Sequence, residues 1–250
     1  MKNKLAPFIM AFGQFTVLPV PNVWRKDTKY QMLLVLPFVG IIVGLLWYFI
    51  GFLLFKTGLH FLTAALLAVF PLIITGFMHL DGFMDCTDAL MSRRPVEDMH
   101  RIMKDSSVGV FAAVSLGAVL IVSFATFLEI VSFGALISFI FTPAVSRTVA
   151  AIGLLIGKPI AHSNYSSDKK SKKKRNLNYM FFLAVQLVIL LVLAFVFGKS
   201  RALFSCLATL VFSTLSMLYA NRKLKGVSGD IAGWAITIGD FFAIISLSVF

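Results

Sequence analysis

Seven long apolar runs decide what this chain can become. They cover residues 32–55, 61–78, 110–131, 134–156, 178–197, 202–220 and 231–250. Each approaches the roughly 20 residues that a helix needs to cross a hydrocarbon core of about 30 Å. In lipid such a run satisfies its backbone only as a helix, unless it alternates as a barrel strand does, and these runs do not alternate. The expected fold is an all-α, polytopic transmembrane helix bundle of about seven spans, one integral membrane domain over residues 1–250. Composition agrees, with 59% hydrophobic and 14% charged residues. Soluble domains carry about 45–50% and about 25%. An eighth apolar stretch, residues 5–20, contains Pro7 and Pro19 and no small-residue cleavage site. It reads as an interfacial or re-entrant segment rather than a span or a signal peptide.

The formal net charge of +12 would suit nucleic acid, but its distribution argues for topology instead. With the N-terminus in the cytoplasm, 19 of the 23 Lys and Arg fall in cytoplasmic segments. Lys56, Lys199 and Arg201 fall outside, and Arg147 lies within a span. That asymmetry is the positive-inside pattern. It places the chain in a lipid bilayer, the cytoplasmic (inner) membrane, with no nucleic-acid partner. Cys86 and Cys206 are too few for a disulfide framework or a zinc site.

The acids are concentrated. Six of the 11 lie between Asp81 and Asp105, in a stretch read as cytoplasmic. Its start reads His79-Leu-Asp81-Gly82-Phe-Met-Asp85-Cys-Thr-Asp88. On a helix, positions i, i+4 and i+7 fall within about 60° of one another, so Asp81, Asp85 and Asp88 share a face. Their repulsion is relieved by a hard divalent cation, and Mg2+ prefers carboxylates together with substrate phosphates. An acidic solvated face is the plainer reading. Gly82 admits a close neighbour, and the helix keeps an apolar side in Leu80, Met84 and Leu90. Basic residues follow: Arg93, Arg94, Arg101 and Lys104, then Asp105, Ser106 and Gly109. Acids for a metal followed by bases for phosphate describe a diphosphate site. Glu97 and Arg101 read as a surface i,i+4 pair. His79 is a candidate base or ligand, with an ordinary interfacial histidine as the plainer alternative.

A third region, Ser228-Gly229-Asp230, enters the last span with small residues and one acid, suited to capping the helix or binding an anion or metal. Arg147 and Asp240 sit at similar depth in their spans. Isolated charges there are costly, so the two are expected to pair or to share a polar cavity.

Together these regions resemble the cobalamin synthase (adenosylcobinamide-GDP ribazoletransferase) family. The resemblance rests on His79-Leu-Asp81-Gly82, Asp85 and Asp88, and on Met103-Lys104-Asp105-Ser106 with Gly109. It extends to Phe15-Thr-Val-Leu-Pro-Val-Pro21, Pro37-Phe-Val-Gly40, Ser146-Arg147 and Ser228-Gly229-Asp230, covering nearly the whole chain in order. The family's two glycines before His-Leu-Asp are replaced here by the Gly76-Phe77-Met78 stretch. The resemblance implies a magnesium-dependent phosphotransferase of the late nucleotide-loop step of cobalamin biosynthesis. A ribose hydroxyl of α-ribazole or its 5′-phosphate attacks the cobinamide-side phosphate of adenosylcobinamide-GDP, and GMP leaves. It further implies that Asp81, Asp85 and Asp88 hold Mg2+, and that Lys104, with Arg93 or Arg94, stabilises GMP. An aspartate or His79 would accept the proton, and Arg147 and Asp230 would line the mouth. A homo-oligomer is compatible with it. Prenyltransferases and CDP-alcohol phosphotransferases also use Asp clusters with magnesium, but the spacing here matches neither pattern fully. A transporter or cation channel is a non-enzyme alternative, weakened because the acids lie in a loop and not at the midplane.

Overall fold

The computed structural model describes residues 5–25, 28–130, 133–160 and 169–248. Among these the chain is helical, with one isolated bridge between Pro159 and Val227 and no strand. The helices are α1 (Ala6–Phe15), α2 (Lys29–Phe55), α3 (His60–Ile74), α4 (Met78–Met91) and α5 (Val96–Ile102). They continue with α6 (Val110–Glu129), α7 (Phe133–Leu136), α8 (Ser138–Ile156), α9 (Lys169–Lys223) and α10 (Gly229–Ser246). Five are long and apolar enough to cross a membrane, and α3 with α4 makes a sixth if the bent pair is one span.

The longest helix accounts for two of the expected spans. Helix α9 has 55 residues, with non-helical dihedrals at Lys199. Asn176 donates its side-chain amide to the Leu155 carbonyl at 2.8 Å. Met217, 41 positions later, packs where a Cβ on Gly153 would stand. A straight helix would separate Asn176 and Met217 by about 60 Å. Both reach the same end of α8, so the chain turns back at Lys199 and α9 is two antiparallel limbs. At that turn Gly198 lies beside Ile137, at the opposite end of α8.

Helix α8 runs through the centre, and 16 of its 19 residues are buried. It packs against α2, both limbs of α9 and α10. One end of the bundle holds a core of Trp47, Leu67, Phe127, Leu136, Phe139 and Leu247. There the Trp47 indole stacks on Phe139 at 4.3 Å and donates to the Leu67 carbonyl at 3.0 Å, fastening α2 to α3. The other end gathers Met99, Met103, Leu154, Leu224 and Ile231 beneath the loops that carry the motif residues.

The expected second span, 61–78, stops short. Helix α3 ends at Ile74, and Gly76 and Phe77 both take positive φ, 60° and 61°. Two consecutive left-handed residues break the hydrogen-bond ladder, and α4 leaves at 91° to α3. The acidic motif is thereby carried away from the line of the span as a separate helix. Helix α1, at 10 residues, is too short to cross, in keeping with the interfacial reading of residues 5–20.

Candidate active site

Two helices build the site by an unusually close crossing. A Cβ on Gly82 of α4 would lie 2.7 Å from the Asp230 carbonyl oxygen and 2.8 Å from its Cα. One turn along α10, a Cβ on Gly233 would lie 3.1 Å from the His79 carbonyl oxygen. The backbones of α4 and α10 therefore touch, and Asp81 and Asp85 come into the field of Asp230. Two hydrogen bonds hold the crossing. Trp234 Nε1 donates to Thr87 Oγ at 3.2 Å, and Thr237 Oγ donates to the His79 carbonyl at 3.4 Å.

The loop ahead of α10 is tied down from two sides. Val227 N–H donates to the Lys158 carbonyl and Ile160 N–H to the Val227 carbonyl, at 2.8 and 3.1 Å. His100 Nε2 lies 2.8 Å from the Leu224 carbonyl, linking α5 to the same loop. Ser228 caps α10, its Oγ accepting from Ile231 N–H at 3.3 Å and donating to Asp230 Oδ2 at 3.2 Å. A Cβ on Gly229 would meet nothing within 4 Å, so the helix opens onto free space. Its first amides and positive dipole end can receive an anion there.

Below this opening is a pocket of about 360 Å³. Of the residues singled out from sequence, His79, Asp81, Lys104, Ser228, Gly229 and Asp230 line it. Asp85, one turn from Asp81, is half-buried. Its carboxyl is pushed up to about 7, first by burial and then by Asp81, Asp230 and Asp88. His79 is held well below the ordinary imidazole range, first by burial and then by Arg147, and neither ring nitrogen has a partner.

The remaining motif residues are placed elsewhere. Asp88 is turned to α6, where its carboxylate accepts from Gly109 N–H at 2.7 Å and Ala112 N–H at 2.9 Å. It thus supplies the N-terminal cap that α6 lacks locally, and Gly109 has no room for a side chain beside it. Arg93 and Arg94 are exposed beyond α4 and do not line the pocket. Asp105 and Ser106 are exposed, and Asp105 accepts from the backbone and hydroxyl of Ser107 at 2.9 and 2.7 Å. These bonds hold its carboxyl below its ordinary value. Arg147, 1% exposed, donates to Asp240 at 3.5 Å and to the Pro143 carbonyl at 2.9 Å, so the two buried charges meet as their matched depths require. Arg101 pairs with Asp98 at 2.9 Å rather than with Glu97. Sequence reasoning assigned no site role to Gln14, Trp24 or His100, all of which line the pocket. Nothing in their local patterns marks them. They arrive through contacts distant along the chain.

Does this arrangement fit magnesium? Among the described residues, no three His, Cys, Asp or Glu side chains are grouped to hold one metal ion. The described residues form no protein-only cage. Magnesium rarely uses one. It takes one or two carboxylates and completes its octahedron with water and substrate phosphate oxygens. Hard oxygen donors in a shared negative field, beside Lys104 and a helix N-terminus, fit an ion held jointly with a phosphate.

Comparison with known proteins decides the family. The family model for cobalamin-5-phosphate synthase matches residues 7–248. The chain belongs to this family. It is 33% identical to an adenosylcobinamide-GDP ribazoletransferase of Clostridium perfringens strain SM101 over 96% of each chain. It is 32% identical to one of Clostridium botulinum strain Alaska E43 over the full length of both. One from Desulfitobacterium hafniense is also 32% identical, over 91% of this chain and 90% of its own. No solved structure matches.

Proposed function

We propose that this member of the cobalamin-5-phosphate synthase family is an adenosylcobinamide-GDP ribazoletransferase that uses magnesium at the cytoplasmic face of the inner membrane. The observation that carries the reading is the family match across residues 7–248, on a chain whose Asp81 and Asp230 border a pocket also lined by Lys104. The orientation follows from charge. The pocket end carries Arg101, Lys104, Lys158, Arg222, Lys223 and Lys225, and Lys56 and Lys199 stand at the other.

The reaction forms one P–O bond and breaks another. The ribose hydroxyl oxygen of the acceptor bonds to the phosphorus on the cobinamide side, and the oxygen bridging to GMP leaves with the electron pair. Such transfers depend on positioning and charge stabilisation more than on covalent help from the protein. Asp81 and Asp85 would hold magnesium together with the diphosphate, and Asp230 across the helix crossing adds its charge to the same field. When bound, the ion neutralises the charge that these carboxylates and the diphosphate share. Lys104 and the opening amides of α10 take the phosphate of departing GMP. An aspartate of the site accepts the hydroxyl proton, since burial and Arg147 oppose a charged His79. His79, partnerless in the pocket wall, orients the hydroxyl as a neutral hydrogen-bond acceptor. Asp88 serves the site from α4, by fixing the start of α6 and with it the end of the loop on which Lys104 sits.

The test is GMP release by the purified protein in detergent, given adenosylcobinamide-GDP, α-ribazole 5′-phosphate and Mg2+, beside an Asp85→Asn variant. Turnover that stops with a chelator, returns with Mg2+ and is lost in the variant is the expected result. No GMP release by folded wild-type protein would refute the reaction. Turnover indifferent to Asp85→Asn would remove that carboxylate from the metal site.

A further inference from the structure

The pocket has two unlike halves. Its mouth carries the charge, on Asp81, Asp230 and Lys104. Its depth does not. The lining follows α10 from Gly229 to Ile236, seven residues and about 10 Å along the axis. At that depth the walls are Leu36 of α2, Ala150 of α8 and Ile236, all buried and apolar. Phe15 covers one side, its ring within 8° of parallel to His79 at 6.0 Å. Beside it Gln14 contributes an amide whose Oε1 is buried without a hydrogen-bond partner.

An apolar recess beneath a charged mouth suits a ligand that is anionic at one end and apolar at the other. Three bulky groups take part in the proposed reaction, and the recess discriminates among them. A corrin ring with its peripheral amides is too large for a pocket of about 360 Å³. Guanine would fit by size, but it carries a carbonyl, a ring N–H, an amino group and ring nitrogens. Against Leu36, Ala150 and Ile236 most of these would lose water and gain no partner, at about 1–3 kcal/mol for each group. A benzimidazole is flat and apolar, and once joined to its ribose it keeps one ring nitrogen needing one donor. A half-turn of the Gln14 amide presents its NH2 for that purpose, since the two ends of such an amide differ little in shape.

We infer that the apolar recess formed by Phe15, Leu36, Ala150 and Ile236, with the Gln14 amide at its edge, seats the flat base of the acceptor nucleoside while the corrinoid stays outside. The inference rests on the ribazoletransferase reading for the identity of that base. It makes Phe15 and Gln14 specificity residues. It also sets the acceptor's ribose between recess and mouth, at the level of His79 and Asp81, where its hydroxyl meets the diphosphate.

The experiment measures binding apart from turnover. Equilibrium binding of α-ribazole, and separately of GMP, is titrated into purified protein in detergent without the donor substrate. The variants are Ala150→Leu, which fills the recess, and Phe15→Leu, which removes the ring but keeps the bulk. α-Ribazole binding is expected to weaken roughly three- to tenfold in Phe15→Leu, the size of a lost aromatic contact. It should weaken further in Ala150→Leu, with GMP binding unchanged in both. In turnover the KM for the acceptor rises alongside, and that for adenosylcobinamide-GDP does not. α-Ribazole binding unaltered in folded Phe15→Leu, or a fall in GMP binding instead, would overturn the assignment even with normal turnover. Binding that follows the variants in a protein releasing no GMP would keep the recess and sink the reaction.

Discussion

Replacing Gly82 by Ala should separate the two helices that assemble the acidic site, and the size of the effect can be worked out. The added methyl would meet Asp230 at 2.7 Å (carbonyl oxygen), 2.8 Å (Cα) and 3.1 Å (carbonyl carbon), all backbone atoms that cannot rotate away. Ordinary contact begins near 3.4 Å, so the crossing must open by the roughly 0.7 Å between 2.7 and 3.4 Å. A misplacement of about 1 Å can cost about 10²-fold in rate, so kcat should fall 10- to 100-fold. Overpacking costs about 1–3 kcal/mol, but Ala is better than Gly within α4 by up to about 1 kcal/mol. The loss should therefore appear in turnover more than in folding. GMP release and thermal unfolding in detergent read the two separately. Gly117→Ala is the control, because a Cβ there meets nothing within 4 Å. Gly233→Ala is the intermediate, its nearest neighbour being the His79 carbonyl oxygen at 3.1 Å. Turnover should fall in the order Gly117→Ala, Gly233→Ala, Gly82→Ala. Wild-type kcat in a folded Gly82→Ala protein would refute the idea that this crossing sets the site geometry.

Asp88→Ala should lower stability by about 1–3 kcal/mol by leaving the Gly109 and Ala112 amides without their acceptor, and Gly109→Ala should do the same by displacing the carboxylate. Thermal midpoints check both, and an unchanged midpoint in Asp88→Ala would deny it the capping role. Removing one partner of the Arg147–Asp240 pair should cost about 3–5 kcal/mol, while the double replacement Arg147→Met, Asp240→Leu should recover most of it. A double-mutant cycle on unfolding shows whether the two losses couple. With Asp85 raised to about 7 in the folded protein from 3.8, folding favours its protonated form. Stability of the substrate-free protein should then decline as pH rises from about 4 through about 7. Asp85→Asn should flatten that decline, and an identical pH profile in the variant would show that another group causes it.

The acidic motif shows where sequence reasoning reaches its limit. Helical periodicity correctly put Asp81, Asp85 and Asp88 on one short helix, because periodicity is local. It could not separate their tasks. Asp81 borders the pocket, and Asp88 is claimed by amides 21 and 24 residues further on. The bend at Gly76 and Phe77 was hidden for a related reason. Residues 61–78 are apolar throughout, and hydropathy records solvent preference but not backbone dihedrals. The Arg147–Asp240 pairing was legible because the cost of an isolated charge at depth leaves few alternatives.

By itself the sequence determined the solvent, the class of fold and the end of the bundle at which chemistry is concentrated. Lipid admits only helices along such apolar runs, and charge lies where chain can stay in water. The tertiary structure decided which charges meet. Asp230 reaches Asp81 and Asp85 because Gly82 lets α10 touch α4, across nearly 150 residues of chain. Gln14, Phe15 and His100 join the pocket in the same way. Such convergence depends on how closely two backbones can approach, a property of the packed pair that neither segment carries alone.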